Sequence, residues 1–305
     1  MVNSPGGKGS LRRPSFVSDQ QYRDNFDAIF SKKIKEQKEH TADEVEVLFQ
    51  QARSGTLPDG FNQWDLVDAF GRIIAHMAAV HGHLPKDFTQ WDLANDDGWT
   101  VAHATAYLGC LPEGFDQWSL ANKLGWTVAH EAVVCKRLPN DFTQWDLADN
   151  DGWTVAHAAA YLGCLPEGFD QWDLANNHSW TVAHVAARHG HLPEGFSQWG
   201  LAVKDGSTVA HIAAFFGYLP EGFSQWGLVD NRGWTVAHVA AQCGQLPDNF
   251  GQWNLATEDG WTVAHVAAKH GHLPADFDQW DLTDNFGCTV RDVVEARDAK
   301  AVSAD

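Results

Sequence analysis

The chain has 305 residues and a formal net charge of −19, with 40 Asp and Glu against 21 Lys and Arg. Acidity of this size repels phosphate backbones and argues against a nucleic-acid partner. A partner protein with basic patches would be attracted, although a soluble, solvated surface accounts for the charge more simply. No stretch approaches the roughly 20 apolar residues of a membrane helix, and the first residues lack the apolar centre of a signal peptide. The five cysteines are odd in number and show no paired ligand spacing. Reduced thiols in the cytoplasm are the reading, in the producing cell or in one to which the protein is delivered.

Residues 1–16 are rich in Gly, Ser and Pro and are expected to be a disordered tail. Within them Arg12-Arg13-Pro14-Ser15 would suit a kinase that prefers basic residues upstream of its serine, against the simpler reading of a flexible tail. From Ser18 to about Lys38, Tyr22, Phe26, Ile29, Phe30 and Ile34 form one apolar stripe at helical spacing. A second helix follows, opened by a capping box of Thr41 and Glu44 and burying Val45, Leu48, Phe49 and Ala52. Residues 17–56 thus read as an N-terminal cap over a longer array.

That array runs from 57 to 299. Leu-Pro recurs every 27 residues at Leu57, Leu84, Leu111, Leu138, Leu165, Leu192, Leu219, Leu246 and Leu273, without insertion or deletion. A fixed short period means that one small unit, unable to bury its apolar face alone, stacks on copies of itself as a solenoid. All the acidity belongs to it: 11 Lys and Arg against 31 Asp and Glu. Cys110 and Cys164 share a repeat position two units apart, and units about one helix diameter (~10 Å) thick keep them beyond disulfide reach.

In the unit 84–110, Asn95-Asp96-Asp97-Gly98 makes a turn and Gly98 takes its positive φ. Thr100 caps a helix of about two turns, Val101–Leu108, which Gly109 ends. The Leu-Pro-x-x-Phe-x-Gln-Trp-x-Leu half has Pro near its start and no room for a long helix, which predicts short 3₁₀ turns and loops. Phe61, Gln63, Trp64 and Leu66 recur in all nine units. Phe, Trp and Leu are core. The Gln column is expected to be a buried ladder satisfying loop backbone, so that Gln144→Leu would cost at least about 1 kcal/mol. At the far end Asp292 replaces the unit's histidine in a more polar last helix, as a C-terminal cap requires, and 300–305 is a tail. The units 84–110 and 138–164 differ at only four positions, so their shared Tyr-Leu pairs can reflect copying.

Gly98-Trp99-Thr100-Val101-Ala102-His103, followed by Ala106 and Gly109, resembles the ankyrin repeat, whose first helix opens Gly-x-Thr-Pro-Leu-His and runs to Ala-Ala-x-x-Gly. The likeness covers about half of each unit. Each unit has 27 residues against about 33 in ankyrins, Val-Ala replaces Pro-Leu, and the second helix is missing. The expected fold is an all-α, right-handed α-solenoid and monomer: a shortened ankyrin-like array with one short helix plus 3₁₀ turns and loops per repeat.

Eight histidines share one register: His76, His103, His130, His157, His184, His211, His238 and His265. Rings one repeat apart stand about 10 Å from each other, too far to share an ion at Zn–N distances near 2 Å. The resemblance implies instead that each bonds within its own Thr-x-x-His turn and to a neighbouring loop. The looser pairs His81/His83, His189/His191 and His270/His272 leave room only for adventitious metal. No phosphate-cradling loop, nucleophile elbow or isolated acid–base pair stands outside the repeat register, so neither an enzyme nor a cofactor is expected.

The resemblance places partner contacts at the turn tips (96 and 97), the residue between Gly and Thr, and two residues at the helix end. The Gly-x-Thr slot holds Trp99, Trp126, Trp153, Trp180, Trp234 and Trp261, but Arg72, Ser207 and Cys288 elsewhere. The helix-end slots hold Tyr107-Leu108, Tyr161-Leu162 and Phe215-Phe216, changing to Arg188-His189 and Lys269-His270. Together these make an aromatic strip on the concave face, the composition of interface hot spots. Against it stands the reading that the tryptophans stack on each other to brace the turns. Binding of a partner protein is the expected function. A passive scaffold or spacer is the alternative, and a peptide or glycan binder stacking its ligand on the tryptophans comes third.

Overall fold

The computed structural model of the chain describes residues 40–302. The tail 1–16 with its Arg12-Arg13-Pro14-Ser15 motif, the first cap helix at 18–38 and residues 303–305 lie outside the described residues. Among the described residues there are ten α-helices and no strand: α1 (Ala42–Ser54), α2 (Ile74–Val80), α3 (Val101–Leu108), α4 (Val128–Val134), α5 (Val155–Leu162), α6 (Val182–His189), α7 (Val209–Phe216), α8 (Val236–Cys243), α9 (Val263–His270) and α10 (Val290–Val302). None is long and apolar enough to cross a membrane. The chain divides into two compact units between Gly114 and Phe115. In the first, α1 packs on α2 and α2 on α3; in the second, each helix from α4 to α9 packs on the next. Each unit is thus a stack of short helices in which neighbours hold neighbours, the arrangement of a repeat solenoid. The last helix runs through Val302, past the boundary expected at 299.

Helix α1 carries the expected capping box: Thr41 accepts from the Glu44 N–H and Glu44 from the Thr41 N–H, while Gly55 ends the helix at φ 69°. Val45, Phe49 and Ala52 are buried, whereas Leu48 packs at the margin of the core.

A helix of eight residues leaves half of its donors without an internal partner, and the loop supplies the acceptors. In the 138–164 unit, the Val155 N–H bonds Leu147 O (2.9 Å) and the Ala156 N–H bonds Trp145 O (3.1 Å). The His157 N–H bonds Thr154 Oγ1 (3.3 Å). The Trp-x-Leu segment therefore does more than fill space: its carbonyls start the next helix. A single antiparallel bridge, Ala148 to Thr154, closes the intervening turn.

The 3₁₀ turns expected from the Pro-rich half are absent among the described residues. Two separate single turns stand in their place, closed by Phe142 N–H to Pro139 O (3.1 Å) and Leu147 N–H to Gln144 O (3.3 Å). Neither is extended by a consecutive bond. Residue choice sets the first turn's type: Gly168, Gly195 and Gly222 sit at φ 76–78°, as a type II turn requires, whereas Asp141, Asn249 and Asp276 keep negative φ at the same position. The phenylalanine that follows responds. Phe142, Phe250 and Phe277 are buried after Asp or Asn, and Phe169, Phe196 and Phe223 only half-buried after Gly.

These phenylalanines alternate with the loop tryptophans in an edge-to-face ladder. In the second unit it runs without a break from Phe115 and Trp118 to Phe277 and Trp280, with centroids 5.1–5.8 Å apart and planes at 79–90°. The first unit has the same pattern from Phe61 to Trp91. Edge-to-face contact is the preferred aromatic geometry and adds to the burial of each ring.

The Gln column is not buried. Gln90, Gln117, Gln144, Gln198, Gln225, Gln252 and Gln279 are exposed, and Gln63 and Gln171 half-buried. Only Gln63 uses its side chain within the described protein, toward His40 Nε2 (2.6 Å). The turn bond uses the glutamine's backbone carbonyl, so the side chain is turned to water and the expected ladder does not form.

A different ladder stands at the turn tips. Asn150, Asn177, Asn231 and Asn285 each donate from Nδ2 to a carbonyl one repeat back, at 2.9–3.1 Å. A glycine one repeat back faces each of the four for a steric reason: a Cβ on Gly125, Gly152, Gly206 or Gly260 would come within 2.5–2.8 Å of Asn150, Asn177, Asn231 or Asn285. Ser179 takes this glycine slot at φ 64°, in the repeat followed by Lys204 instead of Asn.

Candidate functional site

Each candidate tryptophan is placed by the turn that carries it. Asn or Asp at the turn's start accepts from the tryptophan N–H through Oδ1, Asn122 for Trp126 (3.0 Å), Asp149 for Trp153 (2.8 Å) and Asn176 for Trp180 (3.0 Å), and at Trp261 the acceptor is Thr257 Oγ1 (3.2 Å). The tryptophan carbonyl receives the histidine of the preceding repeat: His130 Nε2 donates to Trp153 O (2.9 Å), His157 to Trp180 O (2.9 Å) and His238 to Trp261 O (2.9 Å). The opposite nitrogen, Nδ1, accepts from threonine. For His157 the donors are the Thr154 N–H (3.1 Å) and hydroxyl (2.7 Å).

A carbonyl can only accept and an N–H only donate, so the ring is neutral with its proton on Nε2. Both nitrogens are engaged and offer no lone pair to a metal. Among the described residues no three His, Cys, Asp or Glu converge as a metal site. Burial lowers His76, His157 and His184 to about 4, and lowers His211 and His238. In the last repeat Asp292 accepts from the Thr289 N–H (2.8 Å) and hydroxyl (2.7 Å). A carboxylate reproduces the accepting half of the histidine's role but has no proton to pass on.

The tryptophan rings lie against these histidines. Trp99–His103, Trp126–His130, Trp153–His157 and Trp261–His265 have centroids 4.6–5.0 Å apart at 32–34°; Trp180–His184 and Trp234–His238 are looser, at 5.8 Å. The bracing partner is histidine in the same repeat, where the sequence suggested tryptophan on tryptophan. All six rings remain half-buried, so one side of each still faces outward.

The helix-end positions divide. Tyr107, Leu108, Tyr161 and Leu162 are half-buried. Phe215 and Phe216 are 54% and 40% exposed and touch edge to face at 5.1 Å. In the second unit these slots meet from repeat to repeat. Tyr161 lies edge-on to His189 (4.5 Å), and the Arg188 guanidinium sits over both Trp180 (5.9 Å) and Phe216 (5.6 Å). Tyr218, 49% exposed, extends the patch by covering Gly190. Trp180, Arg188, Phe215, Phe216 and Tyr218 are thereby joined on one surface. Trp234 and Trp261 line a separate half-open cavity of about 430 Å³ at the turn tips.

Three features escaped the sequence reading. His191 and His272, expected to be loose, bond through Nδ1 to Ala160 O (2.8 Å) and Ala241 O (2.9 Å) at the end of the preceding helix, and Arg297 does the same to Ala268 O (2.9 Å). Tyr218 replaces this histidine, and that substitution was the available signal. The third is Glu131, buried at a slot that holds Ala158, Val185 or Val266 in other repeats. It accepts from Trp126 Nε1 (3.3 Å) and from Cys135 Sγ (3.9 Å). Burial raises its pKa to about 7 against the pull of those two bonds. The five cysteines are free thiols.

No family model matches the chain, and no curated protein matches it significantly.

Proposed function

We propose that the array is an ankyrin-like protein-interaction module whose contacts come from the Gly-x-Thr tryptophans and the helix ends. The observation that carries this reading is the patch of Trp180, Arg188, Phe215, Phe216 and Tyr218. Large aromatics exposed by about half are costly to leave in water, and aromatic residues with arginine are the types that dominate interface energetics. Most repeat-to-repeat contacts are made elsewhere, by the Phe–Trp ladder, the His–carbonyl bonds and the Asn tips, and although Arg188 meets Phe216 and Tyr218 covers Gly190 across a repeat boundary, Phe215, Phe216 and Tyr218 stay exposed. A passive spacer would have no use for such a patch.

The test is capture of binding proteins from the source cell by the full chain and by Phe215→Ser/Phe216→Ser. These side chains are exposed, so the variant should melt as the parent does. Capture of the specific partner should fall at least tenfold. Undiminished capture with an unchanged melting curve, repeated with Trp126, Trp153 and Trp180 replaced by Ala, would leave the spacer as the better reading.

A further inference from the structure

The cavity at the turn tips of the 219–245, 246–272 and 273–299 repeats lies outside the aromatic patch and differs from it in charge. Two of its walls are Trp234 and Trp261, the same slot in adjacent repeats. The rest of the lining includes Glu258, Asp259 and Asp284, with Phe286 at the rim, 83% exposed. No other turn tip of the second unit carries two adjacent carboxylates as Glu258-Asp259 does.

The carboxylates are available. Among the described residues the Glu258 and Asp259 side chains accept no hydrogen bond; their backbone carbonyls are the groups that hold Asn285. Asp284 uses Oδ1 for the Phe286 and Cys288 N–H groups (2.9 and 2.8 Å), leaving Oδ2. The one cation in the lining, Arg232, is already neutralised by Asp230, through Nε (3.0 Å) and Nη2 (2.8 Å). Three carboxylates thus line the cavity beside two indoles, and among the described residues its single lining cation is already paired with Asp230. Such a site repels phosphate, whereas an indole face and a carboxylate both attract a cation. The carboxylates do not converge on one point as a metal would need. The fit is therefore an organic cation, and the exposed Phe286 ring can cover the methylenes behind it.

We propose that this cavity receives an arginine or lysine side chain from a basic segment of the partner protein, an inference that rests on the interaction reading and gives the partner its chemistry. An octa-arginine peptide and its octa-citrulline counterpart are the probes, titrated calorimetrically against the intact chain. The parent should bind the first and not the second. Glu258→Gln/Asp259→Asn should weaken octa-arginine binding at least tenfold with no change in melting. Asp170→Asn/Asp173→Asn removes the same charge from exposed loop positions and should change it less than twofold.

Equal losses in the two variants would mean attraction to the acidic array as a whole and would overturn the site. Partner capture that falls with Phe215→Ser/Phe216→Ser but not with Glu258→Gln/Asp259→Asn would also overturn it, and would leave the interaction module standing. If capture survives every variant, the interaction reading itself is the one that fails.

Discussion

Two tryptophan columns run through this protein with the same 27-residue period, and they do opposite work. In the loop column, Trp118, Trp145, Trp172, Trp199, Trp226 and Trp253 are buried, each edge-on to a phenylalanine before and after it. In the turn column each tryptophan is half-buried against one histidine, with its other side open. Periodicity announces that a residue stacks; its depth depends on neighbours. The loop tryptophan has Phe three residues earlier and another from the next repeat. The turn tryptophan is flanked by Gly, or Ser179 before Trp180, and by Thr, which bring little apolar surface. The loop column is never interrupted in nine units, while the turn column gives way to Arg72, Ser207 and Cys288.

Acid should break the turn column first. Protonation of His157 or His184 puts a proton on Nδ1, which then cannot accept from threonine. Their folded pKa values of about 4 lie below the ordinary 6.5. The unfolded chain therefore binds more protons between those limits, and stability present above 6.5 is lost as pH falls toward 4. Each such histidine costs roughly 3 kcal/mol by pH 4, and several act on one stack. Circular-dichroism melts from pH 7 to 4 should show a steep loss of melting temperature beginning near pH 6; a flat profile to pH 4.5 would refute the neutral histidine chain.

Truncation should separate the columns next. Trp172→Ala opens a hole between Phe169 and Phe196 and should cost about 3–5 kcal/mol. Trp180→Ala removes a ring with an open side and should cost about 1 kcal/mol, together with the perch of Arg188. Urea unfolding of the two variants gives the comparison directly, and equal losses would put both columns in the core.

Glu131 tests the turn column from the opposite direction of pH. Its folded pKa, raised to about 7, exceeds the usual carboxylate value, so its contribution is fully present below about 4.5 and lost as pH rises through 7. Glu131→Gln keeps an acceptor for Trp126 Nε1 and removes the titration. At pH 8 the variant should be more stable than the parent by up to roughly 3 kcal/mol. At pH 4 the two should melt together, and a constant difference across pH would remove the carboxyl as its cause.

The sequence was legible where a residue's job is local. The Thr41–Glu44 capping box, the helix Val101–Leu108 and the Gly98 turn follow from short spacings, the Thr100–His103 bonds were implied by the resemblance, and all are present. What it hid are matters of direction across the repeat. Nothing local says that His191 reaches 31 residues back to Ala160. Nor does anything say that Tyr161 meets His189, or that the 3₁₀ turns give way to two single turns whose first type is chosen by Gly or Asp. Among the candidate site residues, exposure at Phe215 and Phe216 and half-burial of the tryptophans were equally invisible, because period fixes neighbours and not outlook.

The smallest effect is expected where repetition misled most. Gln144 precedes the buried Trp145 and recurs in every unit, yet its side chain is exposed and makes no hydrogen bond in the described protein. The local turn needs only its carbonyl, which any residue supplies. Gln144→Leu should therefore change stability by no more than about 0.5 kcal/mol, against the larger loss that a buried ladder would have entailed. Thermal melting of the single variant decides between them. A clear fall would return the glutamine to the fold. A null result leaves eight in-register amides, all but that of Gln63, that the described stack does not use, on an edge separate in kind from both tryptophan columns, and moves the reason for their constancy from the core to the surface.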